Sequence, residues 1–536
     1  MSEGFSEKEL AILSRYVTNT EGSIFALTHL PEVVKGALFS RYSRSSSSLR
    51  SLLLKEFIPN EWSSFNSCSS VNEQQLDVEK AQDFYNRILD GYGDDSIGEL
   101  GGAHLAIENL SLIATKVIED ARIGGSPLEK STRYVFFQKT SQQEYPFYKE
   151  PRLITSPYRN LYLDTCSSLF HTYSQLISPL TAILESRNSR PSSLSLAAYS
   201  AALRAQVLDC LRGLLPASTL TNMGVYGNGR FFEKLLQTLN VHPLKELQEI
   251  GEQSYRELHK VIPSFIRRAS KDHRDQNSYS SYRKQLSSAL QALPTPDLHS
   301  LKNLSSPVGV RLIYYDQDAP LRVAAALLFP HVEVGLERLH EHCRHLSEKE
   351  VDHILDSAVQ HRQHRRQKSP RALEHAMFTF ECLADFGAYR DLQRHRILTQ
   401  ERQRLSCNFG YHLPRELLDT PLCAEYTLAL ESAKNSYDTI AREFPEEAQY
   451  LVPMAYHIRW YFHVNLRSLQ WLCELRSSPA GHPVYRWIAQ ELAQQVSMVF
   501  PSFRRFFKFV DFGGYELGRL SQEVRSEQNK QVRQRV

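Results

Sequence analysis

The sequence predicts an α+β fold built from two homologous, helix-rich domains packed as a pseudo-dimer. Three observations carry that expectation. Apolar residues recur at helical spacing along most of the chain, strand-like runs are few and short, and three stretches of the first half reappear in the same order in the second.

Helical spacing is plain at Leu110, Ile113, Val117, Ile118 and Ala121, and again at Trp471, Leu472 and Leu475. Strand signals fall on Arg133–Phe137, Val308–Tyr315 and Ala376–Leu383. Gln291–Gly309 is rich in Pro, Ser and Leu without clean periodicity and reads as a linker between residues 1–290 and 308–536. The repeats begin with VVKGALFSRYSRSSSSLR, which resembles LRVAAALLFPHVEVGLER. Next, HLAIENLSLIATKVIEDAR resembles FTFECLADFGAYRDLQRHR, each a short alternating run followed by a helical one. The last pair aligns without a gap, placing Pro216, Asn228 and Arg230 on Pro453, Asn465 and Arg467, 237 positions apart. So long a period indicates two homologous domains, not a solenoid.

The bulk properties narrow the function classes. A chain of 536 residues, 42% hydrophobic, can bury a large core. With 63 basic against 60 acidic residues, the near-balanced charge argues against a dedicated nucleic-acid protein. The eight cysteines are scattered without paired spacing, as in a reducing compartment. The N-terminal residues lack the basic-then-apolar order of a secretion signal, and no apolar run reaches membrane-spanning length. A soluble, cytoplasmic protein without a membrane or nucleic-acid partner is expected.

Two polar stretches hold the chemistry. Arg394-His395-Arg396 follows a strand-then-helix unit that starts at Glu374-His375. It reads either as the solvated basic end of a helix or as a cationic cluster aimed at phosphates. Glu129-x-Ser131-x-Arg133 supplies an acceptor, a hydroxyl and a guanidinium on alternate residues, pointing one way if the segment is extended and marking a loop if it is not. Arg459, Asn465, Arg467 and Arg476 are read as lying on a helix dense with aromatics, where they need acidic partners or a ligand. The glycine-rich Gly91–Gly98 and Gly224–Gly229 stretches lack the context of a dinucleotide fold. The basic run His361–Lys368 reads as a solvated helix face. No residues have metal-ligand spacing, His340, His342 and His345 included.

Taken together, EHAMFTFECLADFGAYRDLQRHR and IRWYFHVNLRSLQWLCELR resemble the signature segments of flavin-dependent thymidylate synthases, covering the chain from about Pro307 onwards. The family carries Glu, Ser and Arg at alternate positions after its Arg-His-Arg triplet. Here Arg402, Arg404 and Ser406 stand at those places. The first half departs in the opposite sense: it keeps Glu129, Ser131 and Arg133, whereas Ala121-Arg122-Ile123 replaces the triplet, Gly101-Gly102 the Glu-His, and Leu239 the C-terminal arginine. The halves are complementary, as a fused duplicate would be if each site drew one half-motif from each domain.

The resemblance implies conversion of dUMP to dTMP, with methylenetetrahydrofolate as carbon donor, FAD as hydride carrier and NADPH as reductant. By the same resemblance Arg394, His395, Arg396, Asn465 and Arg467 hold FAD. Glu129, Ser131, Arg133, Arg394 and Arg476 bind dUMP, and Ser131 and Arg476 are catalytic. Arg459 matches a nucleotide-binding arginine, and Asp391 stands where the family has glutamine. The implied assembly is a homodimer imitating a homotetramer. The alternative is a catalytically silent paralogue that binds flavin or nucleotide as a scaffold.

Overall fold

The computed structural model describes residues 5–43, 45–58, 98–139, 143–190, 194–293 and 307–535. Gly91–Gly98, apart from its last residue, and most of the Gln291–Gly309 linker lie outside them. The chain forms two compact units. One comprises residues 1–110, 117–129 and 222–295; the other comprises 111–116, 130–221 and 296–536. The fold is mixed helix and sheet. No helix among the described residues is long and apolar enough to cross a membrane.

The smaller unit is built on strands β1 (Gly102–Ser111), β2 (Gly125–Glu129) and β3 (Leu220–Asn228), in the order β1-β3-β2. The larger carries β4 (Gly309–Tyr315), β5 (Met377–Asp385), β6 (Thr399–Arg402) and β7 (His457–Asn465), in the order β4-β5-β7-β6 and antiparallel throughout. Apart from the added edge strand β4, the second sheet repeats the order of the first. Helices α1 (Leu112–Glu119), α2 (Arg159–Arg187), α3 (Leu196–Leu211) and α4 (Gly229–Asn240) come from the first half. The second half supplies α5 (Phe386–Leu392), α6 (Leu422–Ile440), α7 (Leu466–Arg476), α8 (Pro483–Val499) and α9 (Leu520–Arg535).

Strand-to-helix junctions recur with matching caps, because Ser, Asn and Asp side chains satisfy the free N–H groups at a helix start. Asn228 Oδ1 accepts from Phe231 N at the start of α4, and Asn465 Oδ1 from Ser468 N at the start of α7, each at 2.8 Å. Likewise Ser111 Oγ accepts from Ala114 N at 3.1 Å, and Asp385 Oδ1 from Ala388 N at 2.8 Å. Past the helices, which end at Glu119 and Leu392, the repeats run in the register that sets Ala121-Arg122-Ile123 against Arg394-His395-Arg396.

Within the larger unit, Pro216 and Pro453 face each other in an antiparallel bridge. Ala217 N donates to Val452 O and Met454 N to Leu215 O, both at 2.9 Å. Ser218 N donates to Tyr450 O and Ala455 N to Gly213 O, also at 2.9 Å. The 237-residue spacing carries each bond of a pair onto the other, as a two-fold axis through the prolines would. The long helices α2 and α6 pack on each other there, with Thr165 Oγ1 donating to Ser436 Oγ at 2.8 Å.

Strands β4 and β5 fall where the sequence predicts them. Arg133–Phe137 does not form a strand: residues 132–134 make a turn. The Ser131 hydroxyl accepts from Arg133 N at 3.2 Å, closing the local loop that competes with extended structure. The aromatic run before Asn465 is strand β7, not helix, so Arg459 sits on a sheet. Ile458, Trp460, Phe462 and Val464 are buried alternately with more exposed neighbours, the period-2 pattern of a strand. Leu110 belongs to β1, and Ala121 lies beyond α1. The run His361–Lys368 is not helical. Its Arg362 is buried, with Nη1 and Nη2 donating to the Glu474 carboxylate at 2.9 and 2.8 Å.

A cationic cleft as candidate active site

Ser131 and Arg133 of the first half line the same cleft as Arg394 and Arg476 of the second, all within the larger unit. A cavity of about 250 Å³, open to solvent, lies between them. Arg212, Arg365, Arg390 and Arg519 also line it, and Asp391 is the single carboxylate among the described lining residues. Seven guanidiniums against one lining carboxylate leave the cleft positively charged, and arginine's planar fork suits phosphate and carboxylate alike.

Arg133 is held rigidly. Its Nε donates to Asp209 Oδ1 at 2.6 Å and its Nη2 to Oδ2 at 2.5 Å, while Nη1 donates to the Tyr485 hydroxyl at 2.8 Å. Asp209 lies on α3, so this fork-to-fork pair ties the Ser131–Arg133 turn to a helix of the same half. Burial raises the Asp209 carboxyl, but the adjacent Arg133 outweighs it and holds it below the usual carboxylate range. Most of Arg133's donors are therefore spent inside the protein.

Asp391, buried near the end of α5, accepts from Arg212 Nη1 at 3.1 Å. Burial pushes its carboxyl up. Arg212, Arg133, Arg394 and Arg476 together outweigh burial and hold it well below the ordinary range, so it is ionised. The acid that stands where the family has glutamine thus faces a compensating arginine, Arg212 of the first half. Sequence reasoning passed over Arg212 because it falls in no motif. Its correspondence across the duplication to Gln449, which cannot pair with an acid in the same way, was the available signal.

The triplet divides its labour. Arg394 and Arg396, just beyond the C-terminus of α5, are exposed, and His395 is half-buried behind Arg476. Arg476 Nε donates to His395 Nε2 at 3.0 Å. A guanidinium can only donate, so that nitrogen is the acceptor and the imidazole proton resides on Nδ1. Burial, then the Arg476 charge, hold His395 well below the usual histidine range, consistent with a neutral ring. Arg476, the last residue of α7, lies 5.7 Å from the centre of the Tyr485 ring.

Other sequence-predicted residues lie on other structural elements. Glu129 is buried at the end of β2, in register with Met223. Asn465 caps α7. Arg467 donates from Nη1 to Glu374 Oε1 at 2.7 Å and from Nε to Ser369 O at 2.8 Å. Arg459 Nη1 donates to Glu381 Oε1 at 3.0 Å across β7 and β5, and its guanidinium lies 5.2 Å from the centre of the Phe409 ring. Arg390 and Arg519 join the cleft although the sequence reading did not single them out, and Arg365, from the run read as a solvated helix face, lines it too.

The sequence profile of the family described as thymidylate synthase complementing protein matches residues 54–264 and 311–502. A UPF0159 protein of Chlamydia pneumoniae is 53% identical over 525 residues, 98% of each chain. Another, from Chlamydia muridarum, is 52% identical over 525 residues, covering 97% of this chain and 98% of that one. UPF0159 protein Ta1429 of Thermoplasma acidophilum is 34% identical over 517 residues, 92% of this chain and 98% of its own. With two matched segments spanning most of its length, the chain belongs to the thymidylate synthase complementing protein family.

Proposed function

We propose that this protein methylates dUMP to dTMP, using methylenetetrahydrofolate as carbon donor, FAD as hydride carrier and NADPH as reductant. One observation carries the proposal: Ser131 and Arg133 from the half-motif kept by the first half line one cationic cleft with Arg394 and Arg476 from the second. Residues 1–290 and 308–536 are then two fused synthase-like domains forming a pseudo-dimer. The exchanged hydrogen bonds about Pro216 and Pro453 support that arrangement. Two chains would complete a homodimer resembling a four-domain assembly.

For FAD, the donor set fits in part. Arg394 and Arg396 are exposed guanidiniums suited to a diphosphate. The Asn465 amide oxygen is engaged as a helix cap and Arg467 is paired with Glu374, so these two support the neighbouring backbone. When bound, FAD supplies the hydride chemistry. The protein supplies orientation and charge. The Ser131 hydroxyl, accepting from Arg133 N, keeps its proton to donate to the phosphate end of dUMP. Arg133 holds that turn in place. Arg476, oriented by His395, faces a pyrimidine carbonyl and stabilises the negative charge that develops on the ring.

Release of tritium from dUMP labelled at C5, given folate co-substrate and reductant, tests the reading. Wild-type protein should release it, and Arg476→Ala should not. A second reading, a silent flavin- or nucleotide-binding scaffold, is favoured by the consumption of the Arg133 fork by Asp209. It predicts bound flavin and no release by the wild type.

A further inference from the structure

Beyond the family-matched segments, which end at residue 502, the chain returns to the cleft through Asp511–Arg519. This strap is fastened at several points. Asp511 N donates to Ser477 Oγ at 3.0 Å, Arg486 Nη2 to Gly513 O at 2.8 Å, and Arg415 Nη2 to Glu516 Oε1 at 3.1 Å. At its end Gly518 lies against the Pro479 carbonyl so closely that a Cβ would come within 2.1 Å of the oxygen. Only glycine allows that approach, and it sets the position of the next residue, Arg519.

Arg519 is 5% exposed and lines both the cationic cleft and the adjoining cavity bounded by Pro414, His482 and Leu517. Its guanidinium lies 4.1 Å from the centre of the Tyr134 ring. Its Nε and Nη1 are buried and find no acceptor among the described residues, and the same is true of Arg212 Nη2. Buried guanidinium donors without acceptors are costly, and an oxyanion in the cleft removes that cost. In contrast, Arg133's donors are largely used by Asp209 and Tyr485.

We propose that Arg519, assisted by Arg212, takes the phosphate oxyanion of the ligand and sets the cleft's preference for a phosphorylated nucleoside. The C-terminal strap is then part of the binding site. That the oxyanion belongs to a nucleotide rests on the function proposed above; that the site takes a phosphate does not.

Binding of dUMP, deoxyuridine and inorganic phosphate, measured by calorimetry on wild type, Arg519→Gln and Arg519→Lys, tests this, with folding checked by the Tm of unliganded protein. In Arg519→Gln, dUMP affinity should fall about 10- to 100-fold, the usual loss for a charged hydrogen bond, and deoxyuridine affinity should change less than about twofold. Lysine, a point charge without the fork, should restore part of the loss. Gly518→Ala, which displaces the strap and leaves the charge intact, should weaken dUMP in the same selective way. Unchanged dUMP affinity in folded Arg519→Gln, or equal losses for dUMP and deoxyuridine, overturns the inference. Should Arg519→Gln not fold, undiminished dUMP affinity in Arg519→Lys overturns it instead. If wild type binds phosphate through Arg519 but discriminates against dUMP, the oxyanion site stands and the nucleotide reading falls.

Discussion

Arg212, contributed by the first half of the chain, donates to Asp391, contributed by the second, and both line the cleft. The pair couples the halves energetically. Removing one partner of a buried pair leaves an uncompensated charge, a loss of about 3–5 kcal/mol. Arg212→Leu should therefore destabilise strongly, and Arg212→Leu with Asp391→Leu should recover much of the loss. A double-mutant cycle in urea checks this; strictly additive losses would exclude the coupling.

Arg133 and Asp209 should behave similarly. Arg133→Ala strands Asp209, so the variant should lose stability by roughly 3–5 kcal/mol as well as binding dUMP more weakly. Asp209→Asn should keep more of the fold, because an amide can still accept from the guanidinium. Arg404→Ala, which removes only an exposed pair with Glu446, should leave stability within about 1 kcal/mol of wild type.

Ser131, Arg133, Arg394 and Arg476 line the cleft from a single chain, and a mixing experiment tests whether one chain suffices. Chains carrying Arg133→Ala and chains carrying Arg476→Ala should each be inactive, and mixing them should restore nothing. Recovery of activity in the mixed oligomer would require sites shared between chains.

Flavin retention should separate the triplet from its counterpart. Arg394→Ala should lose the yellow chromophore on gel filtration, because a charge-assisted contact to a diphosphate is among the stronger polar contacts a protein makes. Arg122→Ala should keep it. His395→Ala removes the acceptor that orients Arg476, so its kcat should fall more than its affinity for dUMP.

Stability should decline as pH falls below about 6.5. Burial holds His395 and His482 well below their ordinary range, with Arg476 and Arg212 respectively adding to the effect. Below the ordinary histidine pKa the unfolded chain takes up protons that the folded protein excludes, so folding weakens by up to about 1.4 kcal/mol per pH unit for each histidine. Chemical denaturation from pH 8 to pH 5 measures this, and His482→Gln should flatten the slope. Asp209 and Asp391, both depressed, act at lower pH: their contribution is present above about pH 4 and is lost below it.

Much was legible in the sequence because it is written locally. The Pro216/Pro453 and Asn228/Asn465 correspondences, the β5 strand and the complementary loss of half-motifs all follow from residue order. Caps and short alternating runs depend on neighbours a few positions away. Secondary structure was misread where local signals compete. The aromatic run into Asn465 suits helix or strand, and pairing with β5 and β6 decided for the strand. Similarly, the Ser131–Arg133 segment alternates like a strand, but its own hydroxyl-to-backbone bond and the distant Asp209 carboxylate turned it into a loop.

What only the tertiary structure decided is which charges meet. Nothing near Asp391 in the sequence announces Arg212, 179 residues away, and nothing near Ser131 announces Arg519. An arginine on its own reads as a solvated surface residue. It becomes part of a site when folding removes its water and leaves another protein group or a ligand to replace it. That exchange depends on burial and on the partners folding brings near, and both are properties of the packed chain.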